Sequence, residues 1–143
     1  MKFGTKVLHA GIKSDPSTGA VMTPIFQTST YEQKSPGNHE GFEYARSKNP
    51  TRSVLEANLA ALENGKDAAC FGSGMAAMDA VIKLLKYGDE VISCNDLYGG
   101  SYRLLTKVYA QFGIESKYVD MRDASTIEAH ITDKTKLIWI ETP

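Results

Sequence analysis

Ala68-Ala69-Cys70-Phe71-Gly72-Ser73-Gly74-Met75-Ala76-Ala77 reads as a short buried strand, a turn of two glycines and a serine, and the opening of a helix. The helical pattern continues through Met78, Ala80, Val81, Ile82, Leu84 and Leu85 and stops at Tyr87-Gly88. Glycine allows the sharp turn and leaves its amides unobstructed, and the first helical N–H groups have no internal partners and carry partial positive charge. A serine hydroxyl beside those amides adds a donor, so the turn can hold a phosphate dianion. A plain strand-to-helix connection would use the same glycines only to turn. Gly72-x-Gly74-x-x-Ala77 also satisfies the loose dinucleotide fingerprint, with Asp96 about twenty residues on. Spacing alone points to an anion without naming its owner.

Working outward, strands and helices alternate. The patterns predict strands over 68–71, 90–94, 115–120 and 137–140, and helices over 75–86, 98–112 and 124–131. Such alternation argues for right-handed crossovers and a mainly parallel α/β sheet. Ligands of these sheets sit beyond the carboxyl ends of the strands. Gly72-Ser73-Gly74, Asn95-Asp96-Leu97-Tyr98 and Glu141-Thr142-Pro143 all fall at those ends and can face one crevice. In the second of these loops, Gly99 and Gly100 permit close backbone approach, and Tyr98 at the rim can stack on a flat heteroaromatic ring. Arg103, one helical turn past Gly99, can reach the same crevice. A capped helix, with Asp96 as N-cap and Tyr98 as packing, accounts for the same residues.

Upstream, Val54, Leu55, Leu59 and Leu62 repeat at helical spacing from about Arg52 to Asn64, with Ser53-x-x-Glu56 as capping box and Gly65 as stop. Before that helix, Tyr44-Ala45-Arg46 in extended chain puts a phenol and a guanidinium on one side, a pair suited to phosphate oxygens. A solvated arginine beside a packed tyrosine is the plainer reading. Residues 1–48 are otherwise aperiodic, punctuated by Pro16, Pro24 and Pro36, with Val21–Phe26 the only compact apolar run. Phe26, Tyr31, Phe42 and Tyr44 favour an arm laid on a partner subunit over a disordered tail.

The whole chain sets bounds. Its 143 residues suffice for a real core, and 42% hydrophobic with 23% charged residues is ordinary for a globular protein. A net charge of −1 gives no electrostatic reason to expect nucleic acid or a membrane surface. No apolar run approaches the about eighteen residues that span a bilayer, and the first residues lack the core of a secretory signal. Cys70 and Cys94 have no metal-binding or CxxC spacing and read as buried free thiols in a cytoplasmic protein. His9, His39 and His130 are scattered, so no metal site is expected.

Seven motifs, in order, resemble the pyridoxal 5'-phosphate enzymes of cysteine and methionine metabolism, the cystathionine γ-synthase, cystathionine γ-lyase, cystathionine β-lyase and methionine γ-lyase group. They are Thr5-x-x-x-His9-Ala10-Gly11, Pro24–Tyr31, Tyr44-Ala45-Arg46, Asn49-Pro50-Thr51, Phe71–Ala77, Asn95–Gly100 and Glu141-Thr142-Pro143. The resemblance implies the large domain of a fold-type I pyridoxal-phosphate enzyme preceded by an extended arm. On that reading residues 1–50 are the arm and 51–143 the front part of the cofactor-binding domain. It implies that Ser73, Gly74 and Met75 hold the cofactor phosphate, and that Tyr44 and Arg46 reach the neighbouring subunit's phosphate across a dimer interface. It further implies that Tyr98 stacks over the pyridine ring and assists proton transfer, that Arg103 lies near the substrate side, and that the assembly is a homotetramer of two active dimers acting on small amino acids.

The family's Schiff-base lysine, the aspartate facing the pyridine nitrogen and the substrate-carboxylate arginine fall past the last residue here. Lys134 and Lys136 lead into the final strand and do not stand in the lysine motif. The chain is therefore expected to be the front of something longer, inert alone, with a parent that catalyses γ-replacement or γ-elimination. Two other readings stand beside this one: a nicotinamide-dependent oxidoreductase using Gly72-x-Gly74-x-x-Ala77, and a non-catalytic module binding through the aromatic arm.

Overall fold

The structure, a computed structural model, describes residues 1–142. Pro143, the end of the expected Glu-Thr-Pro loop, lies outside them. The chain divides into two compact units, Met1–Cys70 and the residues from Phe71 onward.

The first unit is built on helix α2 (Pro50–Leu62). Asn49 caps it: its side-chain oxygen accepts from the N–H groups of Thr51 and Arg52, and Pro50, which has no N–H to satisfy, takes the first helical position. The expected Ser53/Glu56 box does not form. Glu56 instead accepts from the Cys70 N–H at 3.1 Å and pairs with Arg52 at 3.3 Å. The Asn49 and Thr51 side chains also hold the apolar run upstream. Asn49 Nδ2 donates to the Phe26 carbonyl, while Thr51 Oγ1 accepts from the Phe26 N–H and donates to the Pro24 carbonyl.

A helix that the sequence pattern does not show, α1 (Phe3–His9), packs on α2. Asn58 Nδ2 donates to the carbonyls of Lys6, Val7 and Ala10, where the end of a short helix leaves acceptors open. Gly11 then turns the chain at φ +77°, and a Cβ there would lie 2.9 Å from that of Ala57. The aromatic arm finds partners within its own chain. Thr30 bridges Tyr44, Tyr31 N–H donates to Glu43, and the Tyr31 and Phe42 rings lie 5.6 Å apart.

The second unit carries the α/β architecture. Helix α3 (Gly74–Ile82) precedes strand β1 (Glu90–Cys94). Helix α4 (Gly99–Arg103) continues through a π-helical turn (Leu104–Val108) and a 3-10 turn (Tyr109–Phe112) to strand β2 (Glu115–Val119). The short α5 (Ser125–Glu128) leads to β3 (Thr135–Trp139). The sheet is wholly parallel in the order β2-β1-β3. Every residue of β1 is buried, as a central strand covered on both faces requires. Met78, Ile82, Val91, Leu105, Tyr109 and Ile114 form the core. Tyr109 donates to Asp79 Oδ1 at 2.6 Å, and burial together with that carboxylate pushes its phenol up to about 12.

The strand expected over Ala68–Phe71 is not formed. These residues have no ladder partner, and the Cys70 N–H is satisfied by the Glu56 carboxylate instead. The expected helix over 75–86 ends at Ile82, and that over 124–131 keeps only Ser125–Glu128.

One charge sits inside the sheet. Glu90, 3% exposed, accepts from Lys117 on β2 at 2.6 Å and from Thr135 on β3 at 2.6 Å. Burial opposes its ionisation, yet the Lys117 and threonine donors outweigh that and hold the carboxyl below the usual glutamate range. A depressed native value stabilises the fold above the unfolded value, and that contribution is lost as pH falls through the native one. Lys117→Met should destabilise by about 1–2 kcal/mol at neutral pH, a figure discounted for the lysine's partial exposure. In urea unfolding the gap between variant and wild type should narrow as pH drops below about 4.3.

Candidate functional site

Two sequence features meet in the second unit. Ser73 is the N-cap of α3, and its hydroxyl oxygen accepts from the Ala76 N–H at 3.1 Å, leaving its proton free to donate elsewhere. The amides of Gly74 and Met75 open the helix, where no carbonyl one turn back can receive them. An added Cβ at Gly72 or Gly74 would meet nothing within 4 Å, so the approach to those amides is open. A ligand's anionic group can therefore face amides, a hydroxyl and the positive end of the helix dipole together.

A cavity of about 420 Å³ joins this turn to the end of the sheet. Ser73, Gly74, Met75, Met78, Tyr98, Ser101, Trp139 and Glu141 line it. Tyr98 is at its rim, 65% exposed. Gly100 is what lets that ring lie where it does. A Cβ on Gly100 would come 2.9 Å from Tyr98 Cδ1 and 3.0 Å from Met75 Sδ, too close for any other residue without displacement.

Glu141 organises the floor. Its carboxylate accepts from the Tyr98 N–H at 2.7 Å, from Trp139 Nε1 at 3.0 Å and from the Ser101 hydroxyl. Burial opposes ionisation of Glu141, but the Ser101, Trp139 and Tyr98 donors prevail and keep it below the usual range. The buried Cys94 thiol completes the junction, accepting from the Glu141 N–H at 3.5 Å. Asp96 does not cap α4. The Tyr98 amide is met by the Glu141 carboxylate, and Asp96 faces a separate cavity of about 500 Å³ with Asp120, Arg122 and Thr142.

Of the residues singled out in the sequence, Ser73, Gly74, Met75 and Tyr98 come together in one cavity. Arg103 does not line it; its guanidinium lies back toward Gly99, 3.5 Å from where a Cβ there would stand. Tyr44 and Arg46 belong to the first unit, where the exposed Arg46 guanidinium sits 5.2 Å from the Tyr44 ring centroid. Arg52 secures that turn, donating to the carbonyls of Ala45, Arg46 and Ser47. Sequence reading put Glu141 at the crevice without giving it a role, and missed Ser101, Trp139 and Arg52 as site-building groups. The available signal was a lone glutamate directly after an apolar strand, at the end where sites form.

The profile of the Cys/Met metabolism PLP-dependent enzymes matches residues 4–143. The chain belongs to that family. It is 50% identical over 140 residues to a cystathionine beta-lyase of Coxiella burnetii, covering 97% of this chain and 36% of that protein. It is 48% identical over 143 residues to a cystathionine gamma-synthase of Mycobacterium leprae, covering 99% and 37%. Its fold superposes with a TM-score of 0.91, at 45% identity, on the crystal structure of cystathionine gamma-lyase from Lactobacillus plantarum complexed with L-serine, covering 100% of this chain and 37% of that one. The chain thus spans well under half the length of these relatives. The dinucleotide alternative is not favoured, because the family is a pyridoxal-phosphate one.

Gly100→Ala should push the Tyr98 ring off its seat at little cost to the fold, about 1 kcal/mol, because the exposed ring can swing outward. The check is loss of the aromatic-to-methyl NOE between Tyr98 and Met75 alongside a nearly unchanged urea midpoint.

Proposed function

We propose that this chain supplies the phosphate seat and ring platform of a pyridoxal 5'-phosphate enzyme of sulfur amino-acid metabolism. The observation that carries the reading is the convergence of Ser73, Gly74, Met75 and Tyr98 on one cavity at the start of α3. The donor set fits the cofactor: two free amides and a hydroxyl for the phosphate, and an aromatic face beside them for a flat ring. Gly74 and Met75 N–H groups and the Ser73 O–H donate to the phosphate oxygens. The Tyr98 ring covers the heterocycle, and its hydroxyl moves a proton to or from the incoming amine. Arg103 lies toward the substrate side. When bound, the cofactor supplies an electron sink for negative charge developing beside the amino-acid nitrogen.

Residues 1–50 serve as the arm of this enzyme and 51–143 as the front of its cofactor-binding domain. Tyr44 and Arg46 reach the phosphate in a second copy, so the active sites are shared in a homodimer, two of which pair as a tetramer. The exposed position of Tyr44 and Arg46 supports that reading. The reaction is γ-replacement or γ-elimination on a sulfur amino acid or activated homoserine, of the cystathionine γ-synthase or γ-lyase kind, in the cytoplasm. No helix among the described residues is long and apolar enough to cross a membrane.

The protein at the length of its relatives should purify yellow with bound cofactor and lose its visible band on borohydride treatment. A colourless protein that binds reduced nicotinamide would overturn the reading in favour of an oxidoreductase; one that binds neither would leave an interaction module. Arg46→Ala should weaken cofactor retention by about tenfold or more, the range for removing one charged phosphate contact. Equal retention would remove Arg46 from the phosphate site.

A further inference from the structure

We infer that Glu141 is a positioning residue whose carboxylate fixes Tyr98 for stacking on the cofactor ring; this rests on the cofactor reading just given. Three donors from different places converge on it: the Tyr98 N–H at the start of α4, the Ser101 hydroxyl one turn along, and the Trp139 indole at the end of β3. Backbone N–H groups at a helix start have no intrahelical partner, so whatever accepts them decides where the helix begins. No side chain from the α4 segment itself caps this helix. The acceptor comes instead from just past the end of the neighbouring strand β3, 43 residues along the chain.

The consequence is geometric. Tyr98 takes φ −54°, ψ 133°, and its ring then lies over Gly100 beside Met75. Moving the Tyr98 amide moves the ring, whereas the phosphate seat at Ser73–Met75 makes no bond to Glu141 among the described residues. The carboxylate therefore acts on the ring half of the ligand and not on the phosphate half. Its two oxygens divide the work, with Ser101 and Trp139 on Oε1 and Tyr98 on Oε2. A glutamine cannot reproduce this: with its carbonyl toward Ser101 and Trp139, its NH₂ faces the Tyr98 N–H, donor against donor.

The chain's single tryptophan is one of the three donors, so its fluorescence reports on the junction directly. Binding of pyridoxamine 5'-phosphate, which has no aldehyde to react with lysines, is followed by Trp139 quenching in the full chain. Binding of inorganic phosphate is followed by amide shifts of Gly74 and Met75, and Tyr98 amide protection is measured by hydrogen exchange. Glu141→Gln should lower affinity for pyridoxamine phosphate by about tenfold, the cost of a lost charged hydrogen bond. It should leave phosphate affinity within about twofold and strip protection from the Tyr98 amide. Glu141→Asp, which keeps an acceptor for every donor, should recover part of the lost affinity.

Wild-type affinity in Glu141→Gln for both ligands would overturn the inference while leaving the cofactor reading intact. Equal loss of both ligands would also overturn it, because the carboxylate would then hold the whole site rather than the ring. Wild-type protein that binds neither ligand would sink the cofactor reading itself, and this inference with it.

Discussion

Strand β1 is buried along its whole length and hydrogen-bonded on both edges. That constraint organises the second unit. A strand so placed must be apolar or must satisfy any polar group inside the sheet, and Glu90 and Ser93 are the two that need it. Glu90 is answered from both neighbours, by Lys117 and Thr135, and the Ser93 hydroxyl donates to the Trp139 carbonyl. These bonds tie the three strands at the ends where β1 enters and leaves the sheet. Because the leaving end is fixed, the groups just past it have defined positions: Cys94, the loop to Tyr98, and Glu141 beyond β3. The cavity is a product of sheet register before it is a product of any one side chain.

The first unit solves a different problem with the same means. A proline-punctuated segment with few apolar contacts pays its ordering entropy poorly. Here the cost is met by side chains of α2 and of its cap residue that bond backbone. Asn49 and Thr51 hold Pro24 and Phe26, Arg52 holds the carbonyls of residues 45–47, and Asn58 closes the end of α1. Read this way, Asn49-Pro50-Thr51 is at once a helix start and a clamp on the incoming chain. The turn carrying Tyr44 and Arg46 is held by its neighbour Arg52, which donates to the turn's carbonyls.

Where the sequence was legible, the signal was local. The two glycines and serine of the turn, the 90–94 strand and the alternation after it depend on backbone preference and apolar period, and both survive into the structure. What escaped reading depends on distant partners. Helix α1 has no cap of its own and exists because Asn58 meets its carbonyls. The strand at 68–71 looked secure from its small and apolar residues, but a strand needs a ladder, and its N–H at Cys70 went to Glu56. Asp96 had the right residue type to cap α4 and lost that place to Glu141, which no spacing rule connects to it. Tyr31 and Phe42, eleven residues apart, meet across an irregular ribbon, a pairing that spacing does not show.

An ionised carboxylate in a cavity proposed to take an anion looks like a contradiction, since like charges in a partly buried site repel more strongly than in water. The geometry resolves it. Burial alone would raise the Glu141 carboxyl, and the donors that hold it low also engage its charge, two on one oxygen and one on the other. One of those donors is the start of α4, whose dipole offsets the carboxylate further. The amides of Gly74 and Met75 have no such companion, so the field left uncompensated in the cavity is the positive one at α3. The negative group holds the walls in place, and the proposed anion would be drawn by the donors the site leaves unsatisfied.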